Sequence, residues 1–292
     1  MEGWLSVIKS EETLIRLLQI SDLHFGPPYV EKAGAAALRS AAELKPDAVI
    51  ISGDLTQRAK RVQFEAAKNF LAGLPPVPQL VVPGNHDVPL YRFYERMTDP
   101  HGLYREIISK ELNPVLEIKG ALIAGIDSTS PHTAISNGRI DEWQLDHLGT
   151  VFRKSPGELI RVVVAHHPFA PAHDFLRDKI VQKAKRAIEK FTDLDVELIL
   201  SGHLHRAYIG NSLDFYPGTH RDRGIIIGHC GTTTSRRGRG REAEKNTLNL
   251  IEICRTTIRI MHYMYFDESD TFELTSEHTF RRRSLTSGIG SV

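Results

Sequence analysis

Short β-branched runs alternate with longer segments of helical period along this chain, the pattern of βαβ units built on a largely buried sheet. Residues 13–20, 48–52, 79–82, 161–165 and 196–200 read as strands. The intervening residues 30–44, 64–71 and 178–191 read as helices, the first with a small apolar face of Ala33, Ala36, Ala37 and Ala41. A strand pair over 115–117 and 121–126 turns at Lys119-Gly120, and a helix around Trp143, Leu145 and Leu148 follows it. Residues 225–227, 247–253 and 257–265 read as closing strands, the last two alternating as in an antiparallel hairpin. With 292 residues and no internal linker, the reading is one α/β domain over 1–266 and a polar, loosely held tail over 267–292.

Five of these strands run straight into a polar cluster: Asp22-Leu23-His24, Gly53-Asp54, Gly84-Asn85-His86-Asp87, His166-His167 and Gly202-His203-Leu204-His205. Ligands of open α/β sheets gather at the carboxyl ends of strands, so the five clusters are expected to share one site. The chain has 14 histidines, and their placement matters more than their number. Asp, His and Asn without cysteine suit Mn, Fe, Zn, Ni or Mg rather than a thiolate zinc. Eight or more candidates exceed what a single catalytic zinc uses, which favours two ions about 3.5–4 Å apart and a bridging carboxylate, for which Asp54 is the central candidate. Gly53 and Gly84 are expected to allow the tight turns that aim Asp54 and Asn85 over the strand ends.

Other features narrow the class. Lys plus Arg number 37 against 36 Asp plus Glu, a balance that excludes a polyanion-wrapping protein working through overall charge. Cys230 and Cys254 cannot build a disulfide framework and read as free buried thiols. No apolar run approaches the roughly 20 residues of a membrane span, and the first ten residues lack the pattern of a secretory signal. A soluble, cytoplasmic protein is the expectation.

The five ordered blocks resemble the calcineurin-like binuclear metallophosphoesterases over roughly residues 14–265. That resemblance implies a four-layer αββα sandwich, two mixed sheets flanked by helices, with residues 1–266 as the catalytic domain. It implies Asp22, His24 and His205 on one metal, Asp54 between the two, and Asn85, His166 and His203 on the second, with Mn or Fe favoured. His167 is expected to pack or hydrogen-bond instead. His86 then faces the scissile phosphate as the catalytic acid, oriented by Asp87. Two such ions lower the pKa of bound water to about 7, so a bridging hydroxide attacks phosphorus directly and no phosphoenzyme forms.

A retained proton donor favours diesters, whose alkoxide leaving groups need it most. The partner expected is a small phosphodiester such as a cyclic nucleotide or nucleotidyl conjugate. The alternatives are a nuclease acting on nucleic-acid ends, a phosphomonoesterase or phosphoprotein phosphatase, and a scaffold that has lost catalysis. The run from Thr232 to Arg241 reads either as a solvated loop or as an anion-attracting rim in which Arg236 or Arg237 meets substrate. His229, ending a strand on the same rim, is a further substrate candidate. Tyr91, Tyr94 and Tyr104 read as a lid, a stacking wall, or a helix packed on the core.

Overall fold

The computed structural model describes residues 13–133, 137–172, 178–218 and 224–282. Its apolar runs become twelve strands in two six-stranded sheets. In the first sheet β1 (Thr13–Ile20), β2 (Ala48–Ile51) and β3 (Gln79–Val81) run parallel. The second sheet contains β4 (Val115–Ile118), β5 (Ala121–Ile126), β6 (Ile160–Ala165), β7 (Val196–Ser201), β8 (Tyr208–Asn211) and β9 (Ile226–His229), in the order β4-β5-β6-β7-β9-β8. Its four central strands are parallel, while β4 and β8 pair antiparallel at the edges. The first sheet is extended antiparallel on the other side of β1 by β10 (Thr247–Cys254), β11 (Thr257–Phe266) and β12 (Thr271–Arg281).

The layers follow from where apolar side chains point. Leu17, Ile50, Leu80 and Ile251 of the first sheet meet Ile123, Val162, Val164 and Leu198 of the second in a largely apolar interior, which Gln19 crosses to hydrogen-bond the Ser201 carbonyl. The opposite faces are covered by helices. α1 (Glu31–Leu44) and α2 (Arg61–Ala72) pack on the first sheet. The small face of α1, Ala33, Ala36, Ala37 and Ala41, is buried there, so its backbone sits close to the strands. Two short helices, α3 (Phe93–Thr98) and α4 (Gly102–Ile107), follow β3. On the second sheet lie α5 (Glu142–Lys154) and α6 (Ala184–Asp193), with Phe152 and Phe191 fully buried. This is the expected αββα sandwich, and Cys230 and Cys254 are buried free thiols. Among the described residues no helix is long and apolar enough to cross a membrane.

Two expectations are corrected. The tail does not begin at residue 267, because β12 pairs along β11 from Phe266↔Thr271 to Thr257↔Arg281. β12 is an edge strand, exposed along most of its length, so its sequence is polar; Phe272 is its buried anchor. Arg39 holds the Asp270 carboxylate at 2.8 Å, and Arg282 reaches Glu197 of β7 with two bonds of 2.9 and 3.0 Å. The Ser- and Gly-rich end of the tail lies outside the described residues. The helix expected over 178–191 begins only at Ala184, because Lys183 adopts a left-handed backbone (φ 58°) that interrupts it. Gln182 instead forms an isolated bridge with Arg139, and Asp178 and Lys179 stand in irregular chain.

Truncation after Phe266 uncovers the β11 edge and the Phe272 site. It should cost at least about 2 kcal/mol, read as a lower thermal midpoint; an unchanged midpoint would show that β12 contributes nothing to stability.

Candidate metal centre

The carboxyl ends of β1, β2, β3, β6 and β7 open toward one point. Five residues there, Asp22, His24, Asp54, His203 and His205, have φ between 48° and 71°, a left-handed backbone that L-residues adopt only at a cost of about 1–3 kcal/mol each. The chain turns sharply back at each strand end, which points the side chain over the sheet edge. Gly53 shares this geometry with φ 93°, and a Cβ there would lie 2.7 Å from His166 Nδ1. Gly84 has an ordinary extended backbone; its constraint is proximity, since a Cβ would stand 2.2 Å from Asp54 Oδ1.

Two groups of ligand-type atoms result. Asp22, His24, Asp54 and His205 form one, all buried; His166, His167 and His203 form the other. In the first, His205 Nε2 lies 3.1 Å from Asp22 Oδ1 and 3.1 Å from His24 Nε2. In the second, Asn85 Oδ1 lies 2.9 Å from His203 Nδ1 and 3.1 Å from His166 Nε2. Asp54 stands between them, with Oδ2 at 3.7 Å from His24 Nε2 and 3.3 Å from His166 Nε2.

Hydrogen bonds behind these atoms fix their orientation. His166 donates from Nδ1 to the Ser52 carbonyl (2.8 Å) and His205 from Nδ1 to the Arg237 carbonyl (3.1 Å), which turns each Nε2 lone pair toward the cluster. Asp22 Oδ2 accepts from the Ser21 hydroxyl (2.6 Å) and the His203 backbone N–H (3.0 Å). Its Oδ1 is left facing His205. Asp22 Oδ1, Asp54 Oδ2 and His24 Nδ1 are buried without a hydrogen-bond partner. Bare oxygens and facing imidazole nitrogens at this depth are costly for a chain alone and fit divalent cations, and the O/N donor set without sulfur suits borderline or hard ions.

The electrostatics agree. Burial raises the Asp22 and Asp54 carboxyls, but His205 beside the first and His166 beside the second outweigh it and hold both well below the usual carboxylate range. Burial lowers His166, yet Asp54 opposite lifts it to about 9, whereas burial leaves His24 at about 4 and His203 at about 3. In the chain alone, a His166 imidazolium thus faces the buried Asp54 carboxylate.

His86 lies outside both groups. Its Nδ1 donates to the Gln57 carbonyl (2.9 Å), so Nε2 carries the lone pair and accepts from Arg237 Nη1 at 2.9 Å. Asp87 does not orient this ring, contrary to expectation. Its carboxylate is buried and accepts from the backbone N–H groups of Gly84, Leu55 and Thr56 at 2.9–3.1 Å, and from the Thr56 hydroxyl at 3.1 Å. Burial and the nearby Asp54 raise Asp87 to about 7 despite these donors. Asp87 clamps the loop after β2 to the loop after β3, and the ring is oriented by Gln57.

The run after β9 divides in two. Thr232, Thr233, Thr234 and Ser235 are buried rather than solvated. The Thr232 and Thr234 hydroxyls donate to the Asp22 and Leu23 carbonyls at 2.7 and 2.8 Å, and the Thr233 hydroxyl accepts from Ser21 N–H at 3.0 Å. They strap the left-handed backbone of the first block in place. The second half is the rim: Arg237 reaches the cleft, whereas Arg236 is exposed and lies outside its lining. His229 is fully buried, its Nδ1 2.6 Å from the Ser201 hydroxyl and its ring beside Tyr208, so it too lies outside the cleft. His167 bonds Ser128 at 2.9 Å as expected, though its buried Nε2 has no partner. Tyr91 and Tyr94 are exposed, while Tyr104 is core, its hydroxyl donating to the Val81 carbonyl. His173 and His220 lie outside the described residues.

Sequence reasoning missed Lys179 and Arg239, which line the cavity with His86 and Arg237. The helix expected from 178 hid the first, and the arginine-rich run gave no reason to single out the second.

Comparison with known proteins agrees with the fold and gives the family. The calcineurin-like phosphoesterase profile matches residues 15–207, and the chain belongs to that family, a metallophosphoesterase and thus a hydrolase of phosphoric esters. It is 29% identical over 215 residues to a probable cyclic nucleotide phosphodiesterase of Synechococcus sp., covering 70% of this chain and 79% of that protein. It is also 29% identical over 167 residues to a probable glycerophosphodiester phosphodiesterase of Arcobacter nitrofigilis, covering 56% of this chain and 58% of the relative. A dimetal phosphatase from Danio rerio shares the fold with a TM-score of 0.65 at 11% identity, over 92% of this chain and 99% of that one.

The His166 value of about 9 predicts that Mn uptake at pH 8 displaces a proton, since an imidazole must be neutral to ligate. Calorimetric titration in buffers of different ionisation enthalpy should show at least one proton released per chain; heats independent of the buffer would contradict this charge assignment. Asp87→Ala removes the acceptor for four buried donors and should lower stability by about 3 kcal/mol, checked by chemical denaturation.

Proposed function

We propose that this chain hydrolyses small phosphodiesters, transferring the phosphoryl group directly to water. The observation that carries the reading is the bridging position of Asp54, with His86 outside both ligand groups on the wall of the same cavity of about 410 Å³. Asp22, His24 and His205 would hold one ion, Asn85, His166 and His203 the second, and Asp54 both. Ions bound there supply a water nucleophile at neutral pH and neutralise charge on the phosphoryl oxygens. The names of the Synechococcus and Arcobacter relatives support a diester, and the nitrogen and oxygen donors support Mn or Fe.

The chain's own residues do the rest. His86 Nε2 faces the cavity, and it becomes an acid only when Arg237 releases it. An incoming phosphoryl oxygen competes for Arg237 with two bonds, one to His86 and one of 3.2 Å to Gln57 Oε1. Both partners are neutral, so an anionic oxygen is the better acceptor. Arg237 then binds the phosphoryl group, and Nε2 can carry the proton that an alkoxide needs on leaving. Gln57 keeps the ring in register throughout.

Asp54→Ala should lose activity on every ester together with bound metal, falling below the two ions per chain expected of the intact site. His86→Ala should keep both ions and lose about 10²–10⁴-fold in kcat on alkyl diesters, with a smaller loss on nitrophenyl esters, whose leaving group needs no proton. Metal analysis beside a diester assay reads both, and an unchanged alkyl-diester rate in His86→Ala removes the proposed acid.

A further inference from the structure

The cleft has two arms that meet at Asn85, and their chemistry differs. One is the cavity of about 410 Å³ beside the ligand groups, whose outer wall carries Lys179, Arg237 and Arg239. The other, about 110 Å³, is lined by Val88, Leu90 and Pro131 with the hydroxyl residues Thr129, Ser130 and Thr133. Its one cation, Arg96, turns to the carbonyls of Pro89 and Thr133.

Of the three cations of the larger arm, Arg237 is partly balanced by the Asp54 and Asp22 carboxylates, whereas the outer two are not balanced among the described residues. Among the described residues, the Arg237 side chain hydrogen-bonds His86 and Gln57. Lys179 and Arg239 are exposed and make no ion pair among the described residues. The carboxylate on that wall outside the ligand group, Asp178, is engaged by Arg206, itself largely buried. Burial lowers the pKa of Arg237; the carboxylates of Asp54 and Asp22 raise it in part, and the neighbouring charges of Arg239 and Arg58 lower it further. Lys179 and Arg239 share this rim with Arg237 and have no carboxylate of their own among the described residues, so the three charges repel one another and an anion seated beside the outer pair relieves that repulsion. Cations held by the ligand cluster would, with Arg237, match the charge of the reacting phosphoryl group, so the outer pair implies a second anion.

Resting on the phosphodiesterase reading, and narrowing it, we infer that Lys179 and Arg239 receive a second phosphate adjacent to the scissile phosphoryl group, while the uncharged part of the substrate lies along Val88, Leu90 and Pro131. The substrate class is then a phosphodiester whose alcohol is itself phosphorylated, in preference to a cyclic diester with a single charge. Lys179 reaches the site because left-handed Lys183 delays the start of α6. Arg239 is held there by its backbone N–H, which donates to the His205 carbonyl at 2.9 Å.

The test is calorimetric binding of adenosine 5′-(α,β-methylene)diphosphate and of AMP to the Mn-loaded chain and to the double variant Lys179→Ala/Arg239→Ala. Both side chains are exposed, and the thermal midpoint of the variant verifies its folding. The diphosphate should bind the unaltered protein about tenfold more tightly than AMP, and the ratio should fall to threefold or less in the variant. Equal affinities in the unaltered protein, or the same ratio in the variant, would overturn the inference. Hydrolysis of bis(p-nitrophenyl) phosphate is followed in parallel. No turnover alongside a large ratio that the variant loses would defeat the phosphodiesterase reading and still support the anion site.

Discussion

Two carboxylates, Asp22 and Asp54, are buried together at the ends of neighbouring parallel strands, and the site is organised around neutralising them. An isolated buried carboxylate costs far more than a single domain's net stability can tolerate unless it is paired or bound to a cation. The chain meets that cost with imidazoles brought from β6 and β7 of the other sheet. His166 and His205 present Nε2 to these oxygens while their Nδ1 atoms are tied to backbone carbonyls. The pairing is incomplete by design of the donor set, since Asp22 Oδ1 and Asp54 Oδ2 keep no hydrogen-bond donor. A cation is the partner that such oxygens and nitrogens have in common.

Bringing those groups together from two sheets requires a backbone that turns back at each strand end, and the left-handed conformations of Asp22, His24, Asp54, His203 and His205 are how it does so. Such strain persists only where surrounding contacts over-determine it. Thr232, Thr233 and Thr234 hold the first block from the far side of the first sheet, and Asp87 ties the second block to the third. The apolar interior between the sheets sets their separation and so the reach of each side chain. Stability and chemistry are therefore coupled at residues that touch no substrate.

The strands, the sandwich and the convergence of five blocks were legible because burial on both faces writes parallel strands as continuous apolar runs, and because each run ended in chemistry. What escaped the reading depends on tertiary context. β12 is an exposed edge strand, so its composition is that of a tail. A threonine-rich segment is polar in sequence whether its hydroxyls meet water or buried carbonyls. Asp87 follows His86 directly, but adjacency in a 3₁₀ turn places its carboxylate against the β2 loop instead of the ring. His229 ends a strand like the ligand histidines, yet β9 lies beside the edge strand β8, where the Tyr208 ring covers it.

The near-neutral total charge hides a polarity that only the folded chain reveals. Acidic groups are concentrated beneath the metal-ligand cluster, and the arginine-rich rim and Lys179 stand outside it on one side of the opening. Field lines in a cleft with low-dielectric walls are focused along its axis, so this separation orients an anionic substrate as well as attracting it. On the proposed reading, the reactive phosphoryl group would be drawn inward to cations held by the cluster and to Arg237, and the uncharged arm would lie to the side without unengaged cations. A symmetric distribution of the same residues would bind anions without distinguishing one end of a diester from the other. Under the proposed function, the asymmetry would decide which ester oxygen faces His86, and hence which bond is positioned for protonated departure.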